Sequence, residues 1–483
     1  MPEVKVVRGL VLRVLGFLLS TVGFLFARQV PITILHTADL HGQLFPADAS
    51  DDHPLQGGLL RAARYLEEVR EEQRNVLLFD SGDSLGGAAE SEGEPSLIVS
   101  AMNHLSYDAI APGDQDLGRY VKRLAALKAP ILAANVQGLD TVRSHQVLQV
   151  DGVRVVVLGL TWPGFHHRYL SASIRVGPGV EALSGLMAEV KQLEPDVICL
   201  LVHQGAGAGP FGKLRDLIQR FPEIDVVIGG HTGQAVPEAF YGETLFTQAG
   251  AGGLRVGRVD LVWDTVRRQL IKQESRLQKI GTRFVASASL KKALEPALGE
   301  ARAHLGQPIG ELRGRFARRV SGRNSGEERL IGRALAEMTQ AEIVWWEKDR
   351  VRLQEGVLTE QGLAAAVPED EVLVKVHLTA ADLREMIKEA LRVESPLVWG
   401  MRWEVTAQGV YRVLDGMGKG MHARKRFPVV LPESLAASDG GRFPLLRRVV
   451  HQPVARLAPS SHSLRSALRA YVEKHTPIEL RDE

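Results

Sequence analysis

Between residues 32 and 264 the chain repeats one pattern. Nine short apolar runs, ITIL, NVLLFD, DAIA, ILAAN, RVVVLGL, DVICLLV, DVVIGG, TLFTQ and VGRVDLVW, alternate with helical stretches. This alternation reads as a layered α/β fold, since each half-apolar helix needs a sheet to cover. The segment between the first two runs shows the spacing best. Leu59, Leu60, Ala63, Leu66 and Val69 share one helical face, and Glu67, Glu68, Arg70 and Glu71 lie largely opposite.

Five of these runs end in turns that carry acids or histidines. They read ILHTADLHG (Asp39, His41), LLFDSGD (Asp83), AIAPGDQD (Asp114), CLLVHQG (His203) and VVIGGHTG (His231). Side chains leaving the carboxyl ends of neighbouring strands gather on one rim, where α/β folds place their sites. One acid or histidine at a strand end is usually a cap or turn former. Six potential ligands in this order point instead to divalent ions, with Asp83 able to bridge a pair about 3.5–4 Å apart. The expected cofactors are two divalent ions of the Mn, Zn or Fe class, and the expected chemistry is hydrolysis by metal-activated water.

The balance of 59 basic and 57 acidic residues, net +2, leaves no global field to attract nucleic acid or an anionic membrane. The expected partner is therefore a small molecule and not a nucleic-acid polymer. Residues 1–28 read as a signal peptide or membrane anchor: Lys5, Arg8 and Arg13 precede the apolar run VLGFLLSTVGFLFA. A cut after Ala27 sets Leu25 three residues before it, a poor match to the usual small residue, so both fates stay open. Either one implies export, to the periplasm or to an anchored position facing it, with membrane contact only through this segment. The single cysteine, Cys199, excludes an intrachain disulfide and reads as a small core residue.

Residues 29–280 are expected to form the metal-bearing domain and 281–306 a linker helix. Residues 307–483 form a smaller α+β domain in this reading, with a helix at 330–339, strands VLVKVHL and FPVVL, and a closing helix SLRSALRAYVEKH. His36, His53, His166 and His167 read as turn or surface residues. GAGAGPFG (205–212) lacks the Gly-Lys-Ser/Thr ending of a phosphate loop and reads as a loop after His203.

The chain resembles the 5′-nucleotidase family of calcineurin-like metallophosphoesterases through HTADLHG, GGLLRAARYLEE, DSGDSLGG, YDAIAPGDQD, GGHT and TQAGAGGLRVGRVDL. The second half is similar through ERLIGRALAEMTQAEI, EGVLTEQGLAAAVPEDEVLVKVHLTAADL and SLAASDGGRFPLL. The resemblance implies a metallophosphoesterase β-sandwich flanked by helices, followed by a substrate domain, and as partner a small-molecule phosphate ester with nucleotides among the candidates. It also implies that Asp39, His41 and Asp83 hold one metal while Asp83, Asp114, His203 and His231 hold the other. Asp114 stands where the family has asparagine, and a carboxylate remains a good ligand for a hard cation.

Three departures bear on catalysis. The family's histidine beside the phosphate is replaced by Gln115, and the acid that orients it by Gly118, leaving Asp116 as the nearest carboxylate. Gln115 can donate a hydrogen bond to an oxyanion but carries no proton; with Asp114 it is the candidate catalytic residue. Gly233 replaces a further ligand of the first metal. For substrate binding the resemblance implies Arg350, in the turn WWEKDR, and Phe443, with Trp399 beside the family's second aromatic position, here Ser395. Trp345, Trp346, Trp399 and Phe443 can equally be core side chains. Two alternatives to a phosphoesterase follow: a catalytically impaired member that binds an anion or partner, and a metallohydrolase of a sulfur-linked ester.

Overall fold

The longest apolar runs become central strands, because a strand flanked by parallel neighbours and covered on both faces has no side to expose. The computed structural model describes residues 28–46, 56–86, 96–118, 120–162, 173–205, 213–314, 325–346, 351, 353–367, 372–393, 397–405, 411–432, 435–436, 443–450 and 458–480. Its first fifteen strands are β1 (Gln29–Thr37), β2 (Val76–Asp80), β3 (Ala109–Ile110), β4 (Ile131–Leu132), β5 (Val136–Gln137), β6 (Val142–Arg143), β7 (His145–Val150), β8 (Val153–Thr161), β9 (Arg175–Val176), β10 (Val197–His203), β11 (Val226–Gly229), β12 (Val236–Tyr241), β13 (Thr244–Gln248), β14 (Arg255–Asp264) and β15 (Gln269–Lys279).

Two sheets hold nearly all of them, in the orders β15-β14-β1-β2-β3-β4-β6 and β12-β13-β11-β10-β8-β7. β1 pairs in parallel with β2, and β8, β10, β11 and β13 are parallel in turn. The sheets face each other across Ile32, Ile34, Phe79, Val155, Val157, Cys199, Leu201 and Ile228, all buried. Cys199 is a core residue, and burial pushes its thiol pKa up.

Helices cover the outer faces. Leu59–Glu72 packs Leu59, Leu66 and Val69 under the first sheet with Leu97–Leu105, as the apolar spacing predicts. Ala288–Leu305 buries Leu290, Leu294 and Leu298 in the same core. Gly179–Gln192 and Lys213–Arg220 cover the second sheet through Leu183, Leu186, Leu214 and Ile218.

The polar segment after Asp264 is the long edge strand β15, antiparallel to β14 from Arg255↔Lys279 to Asp264↔Gln269. Its alternating exposed and half-buried residues are mostly charged or polar, which protects an edge from pairing with other chains.

The remaining strands are β16 (Pro308–Arg313), β17 (Ile343–Trp346), β18 (Gly356–Thr359), β19 (Val372–Thr379), β20 (Leu397–Trp399), β21 (Met401–Val405), β22 (Tyr411–Asp415), β23 (Arg426–Pro432), β24 (Ala458–Ser463) and β25 (Ile478–Glu479). They form the sheet β20-β17-β23-β19-β24, the sheet β18-β16-β25 and the hairpin β21-β22. The helix Gly326–Thr339 starts at a capping box in which Ser325 and Glu328 each accept the other's backbone amide. It takes in the expected 330–339 stretch, and Leu464–His475 is the closing helix. The whole is a mixed α/β protein. No helix among the described residues is long and apolar enough to cross a membrane, and residues 1–27 lie outside them.

Candidate metal centre

Five strands deliver the six residues. Asp39 and His41 follow β1, Asp83 follows β2 and Asp114 follows β3, while His203 ends β10 and His231 follows β11. Both sheets therefore contribute, and their carboxyl ends are stitched together at Ser81. Its hydroxyl donates to the Ile228 carbonyl (3.0 Å), and its own carbonyl accepts from His203 Nδ1 (2.7 Å). A carbonyl only accepts, so the His203 proton sits on Nδ1 and Nε2 turns into the centre.

The ligand atoms form two groups that share one residue: Asp83, Asp114, His203 and His231, and Asp39, His41 and Asp83. His203 Nε2 lies 3.3 Å from Asp83 and 3.2 Å from Asp114, and His231 Nδ1 lies 3.1 Å from Asp114. Asp39 Oδ1 accepts the His231 amide (3.0 Å), while its buried Oδ2 has no hydrogen-bond partner among the described residues. An uncompensated buried carboxylate oxygen is costly, and a cation is the group that offsets it. Burial alone would lower the His203 pKa, yet Asp83, Asp114 and Asp39 raise it well above the usual histidine range. The field that favours a proton at Nε2 equally favours a metal ion. Hard carboxylate oxygens and imidazole nitrogens are the donor set for divalent ions, so the residues fit the implied group.

Backbone conformation sets the geometry, and no periodicity in the sequence signals it. Asp39, His41, Asp83 and His231 all adopt left-handed φ values, of 51°, 46°, 52° and 71°. Such conformations are uncommon outside glycine and gather at functional sites. Hydrogen bonds hold them: the Asp39, His41 and Gly42 amides donate to the carbonyls of Gly82, Asp83 and Ser84 at 2.9, 2.9 and 3.1 Å, extending the β1–β2 pairing into the turns. Two glycines make room. A Cβ on Gly113 would stand 2.0 Å from Asp83 Oδ1, and one on Gly82, itself at φ 92°, would stand 2.8 Å from His203 Nδ1.

Asp116 does not replace the missing orienting acid. It is buried, and its carboxylate accepts the amides of Asp83 (2.8 Å), Gly113 (2.9 Å) and Leu85 (3.0 Å); burial pushes its pKa up to about 8. Gln115 is half-buried and gives its backbone amide to Asp83 Oδ1 (2.9 Å). Asp80 is fully buried beneath the same turn and accepts from Thr37, Gly82 and Ser84, with its pKa pushed by burial up to about 7.

The surroundings of two further residues were not legible in the sequence. Trp162, just after β8, faces His231 at a ring separation of 4.6 Å, and His231 meets His203 edge-on at 5.1 Å. His36, expected at a turn or surface, lies wholly buried in β1, and burial pushes its pKa down to about 3. Its ring is accommodated by Gly257, where a Cβ would come within 1.9 Å of Nε2. The strand's inward alternation carries His36 to the same face as Ile32 and Ile34.

Of the residues expected to bind substrate, Phe443 is 7% exposed and edge-on to Trp345 in a hydrophobic core, which leaves little ring surface for a base. Trp399 packs on Gly332 with the Arg333 guanidinium 5.8 Å from its ring. Trp346, expected in a ligand-facing turn, is a buried residue of β17. Arg350, His53, His166, His167 and residues 206–212 lie outside the described residues.

No family model matches the chain. It is 25% identical over 409 residues to the endonuclease YhcR of Bacillus subtilis, across 74% of this chain and 33% of that relative. It is 30% identical over 230 residues to the 5′-nucleotidase of Rattus norvegicus, across 43% of this chain and 38% of the relative. The match thus spans about a third of the length of these two curated relatives. Among solved structures, a 5′-nucleotidase precursor from Thermus thermophilus shares the fold over 94% of this chain and 98% of its own, with a TM-score of 0.67 at 19% identity. In sequence the chain is thus similar to nucleotide-cleaving enzymes over part of their length, and in fold it is similar to a 5′-nucleotidase over nearly all of its own.

Proposed function

We propose that this protein is a metal-dependent phosphoesterase whose substrate is a small phosphate ester, with nucleotides the first candidates. The observation that carries the reading is the pair of ligand groups joined through Asp83. Two divalent ions, when bound, supply Lewis-acid charge and lower the pKa of water enough for hydrolysis near neutral pH. Asp39, His41 and Asp83 would hold one ion, and Asp83, Asp114, His203 and His231 the other. The three carboxylates offset most of the charge on two such ions and leave an excess that favours a phosphate dianion.

The Gln115 carboxamide donates a hydrogen bond to a phosphoryl oxygen and cannot protonate a leaving group. With Asp116 committed to backbone amides, no described acid stands in for the missing dyad. The leaving group therefore departs as its own anion or takes a proton from solvent, so rate depends steeply on leaving-group acidity. Residues 29–280 serve as the catalytic domain in this reading, 281–306 as the linker and 307–483 as the substrate domain. Residues 1–28 direct the chain out of the cytoplasm.

The test combines metal analysis of the purified chain with turnover of an aryl phosphate, a nucleotide panel and single-stranded DNA under added Mn²⁺ or Zn²⁺. Expected are metal-dependent hydrolysis that favours the aryl ester and loss of metal and turnover in Asp83→Ala. Substoichiometric metal without metal-dependent turnover removes the proposal. Cleavage of DNA in preference to the small esters would move the substrate class to polymers.

A further inference from the structure

Asp83 is the one residue common to both ligand groups, and its left-handed backbone is held by two buried carboxylates that belong to neither. Asp80 Oδ1 accepts the amide of Gly82 (2.9 Å), and both Asp80 oxygens accept the Ser84 hydroxyl (2.9 and 2.8 Å). Asp116 Oδ2 accepts the amide of Asp83 itself (2.8 Å), and its Oδ1 the amide of Leu85 (3.0 Å). Gly82, Asp83, Ser84 and Leu85 thus each give a donor to one of these two side chains.

The same carboxylates reach the other ligand-bearing segments. Asp116 Oδ2 also takes the Gly113 amide (2.9 Å), next to Asp114, and Asp80 Oδ2 takes the Thr37 hydroxyl (2.6 Å), two residues before Asp39. Neither carboxylate is exposed by more than 1%. In their ionised form both side chains are acceptor-only and suit this arrangement. A carboxamide keeps the shape but turns an N–H₂ toward at least one amide donor, leaving it unsatisfied in the interior.

We propose that Asp80 and Asp116 are positioning residues that lock the turn of Asp83 so that one carboxylate serves both ligand groups, and that without either lock the two groups no longer act as one centre. The inference rests on the two-ion reading above. Asp80 and Asp116 touch no ion in it and act only by holding the segment 82–85 and the neighbouring ligand-bearing turns. Supporting residues of this kind typically change metal affinity about 10–100-fold when altered.

The experiment is Mn²⁺ titration of the full chain followed by electron paramagnetic resonance, with Asp80→Asn, Asp116→Asn and, as a control, Asp264→Asn. Asp264 is also a buried acceptor of backbone amides, those of Val266 and Arg267, at a different turn. The expected result is a spin-coupled Mn²⁺ pair in the wild type and in Asp264→Asn. Asp80→Asn and Asp116→Asn should give the uncoupled mononuclear signal, with affinity for the second ion about 10-fold or more weaker. A coupled pair that persists in both variants overturns the inference alone. A wild type that binds Mn²⁺ without coupling, or not at all, removes the two-ion reading and the inference with it. A second readout needs neither metal nor a folded variant: in the metal-free wild type, hydrogen exchange of a peptide spanning 80–85 should be among the slowest, and rapid exchange there overturns the lock.

Discussion

His36 predicts a specific acid weakness. Its imidazole is wholly buried in β1, and burial holds its pKa at about 3 against an ordinary 6.5. Between those values the unfolded chain binds a proton that the folded chain refuses, so stability rises with pH across the window. The contribution is fully present above pH 6.5 and is lost as pH falls toward 3. Its slope is about 1.4 kcal/mol per pH unit, which amounts to roughly 5 kcal/mol over the window.

Asp80 and Asp116 act with the opposite sign. Their folded pKa values of about 7 and about 8 lie above the ordinary 3.8, so the stability they contribute is present below that value and lost as pH rises toward 7 and 8. A bare pH profile mixes these terms, and a difference between two proteins separates them. His36→Gln removes the titration and keeps a polar group within reach of Thr247, whose hydroxyl lies 3.4 Å from Nε2. Urea unfolding of both metal-free proteins, at steps from about pH 7 down to about pH 4.5, should show the wild type losing about 1.4 kcal/mol per unit relative to the variant below pH 6.5. Parallel profiles would refute the reasoning, because they would mean that the folded chain protonates His36 as readily as the unfolded one.

Two other substitutions probe the centre. A Cβ on Gly118 meets nothing within 4 Å, so Gln115→His with Gly118→Asp can rebuild a histidine–acid pair without steric cost at that position. The pair should raise turnover of an alkyl phosphate by about 10²–10⁴ over either single variant, and equal rates for double and singles would deny Gln115 its place beside the phosphate. Trp162→Ala removes the ring that faces His231 at 4.6 Å, and chelator competition should show metal affinity about 10-fold weaker, with Trp162→Phe near wild type. Unchanged affinity in Trp162→Ala would show that the stack does not orient the imidazole.

Much of the scaffold was legible because its signals are local. Each of the nine apolar runs contains a strand, in whole or in part, and the 3.6-residue spacing of Leu59, Leu66 and Val69 marks the face that packs under the first sheet. Strands with weaker alternation escaped. β7 is half-buried along most of its length, β12 has no buried residue, and β15 hides a long edge strand inside charged sequence. Edge strands are chosen by pairing and solubility more than by apolar content, so their composition resembles a surface loop.

The site divides in the same way. Residue type and position at strand ends pointed to Asp39, His41, Asp83, Asp114, His203 and His231, because ligand chemistry depends on donor atoms and a strand's end is a local property. What Asp116 does, where His36 points and what Trp162 touches depend on segments far apart in the chain. Asp116 reaches back 33 residues to the Asp83 amide, and His36 rests against Gly257. The left-handed turns at Asp39, His41, Asp83 and His231 belong to this class too, since strained backbone persists only where surrounding hydrogen bonds over-determine it. By itself the sequence determined which atoms could bind metal and on which strands they ride. Tertiary structure decided that one carboxylate joins two ligand groups, because only packing two sheets face to face brings the carboxyl ends of β1, β2, β3, β10 and β11 within reach of the same few ångströms.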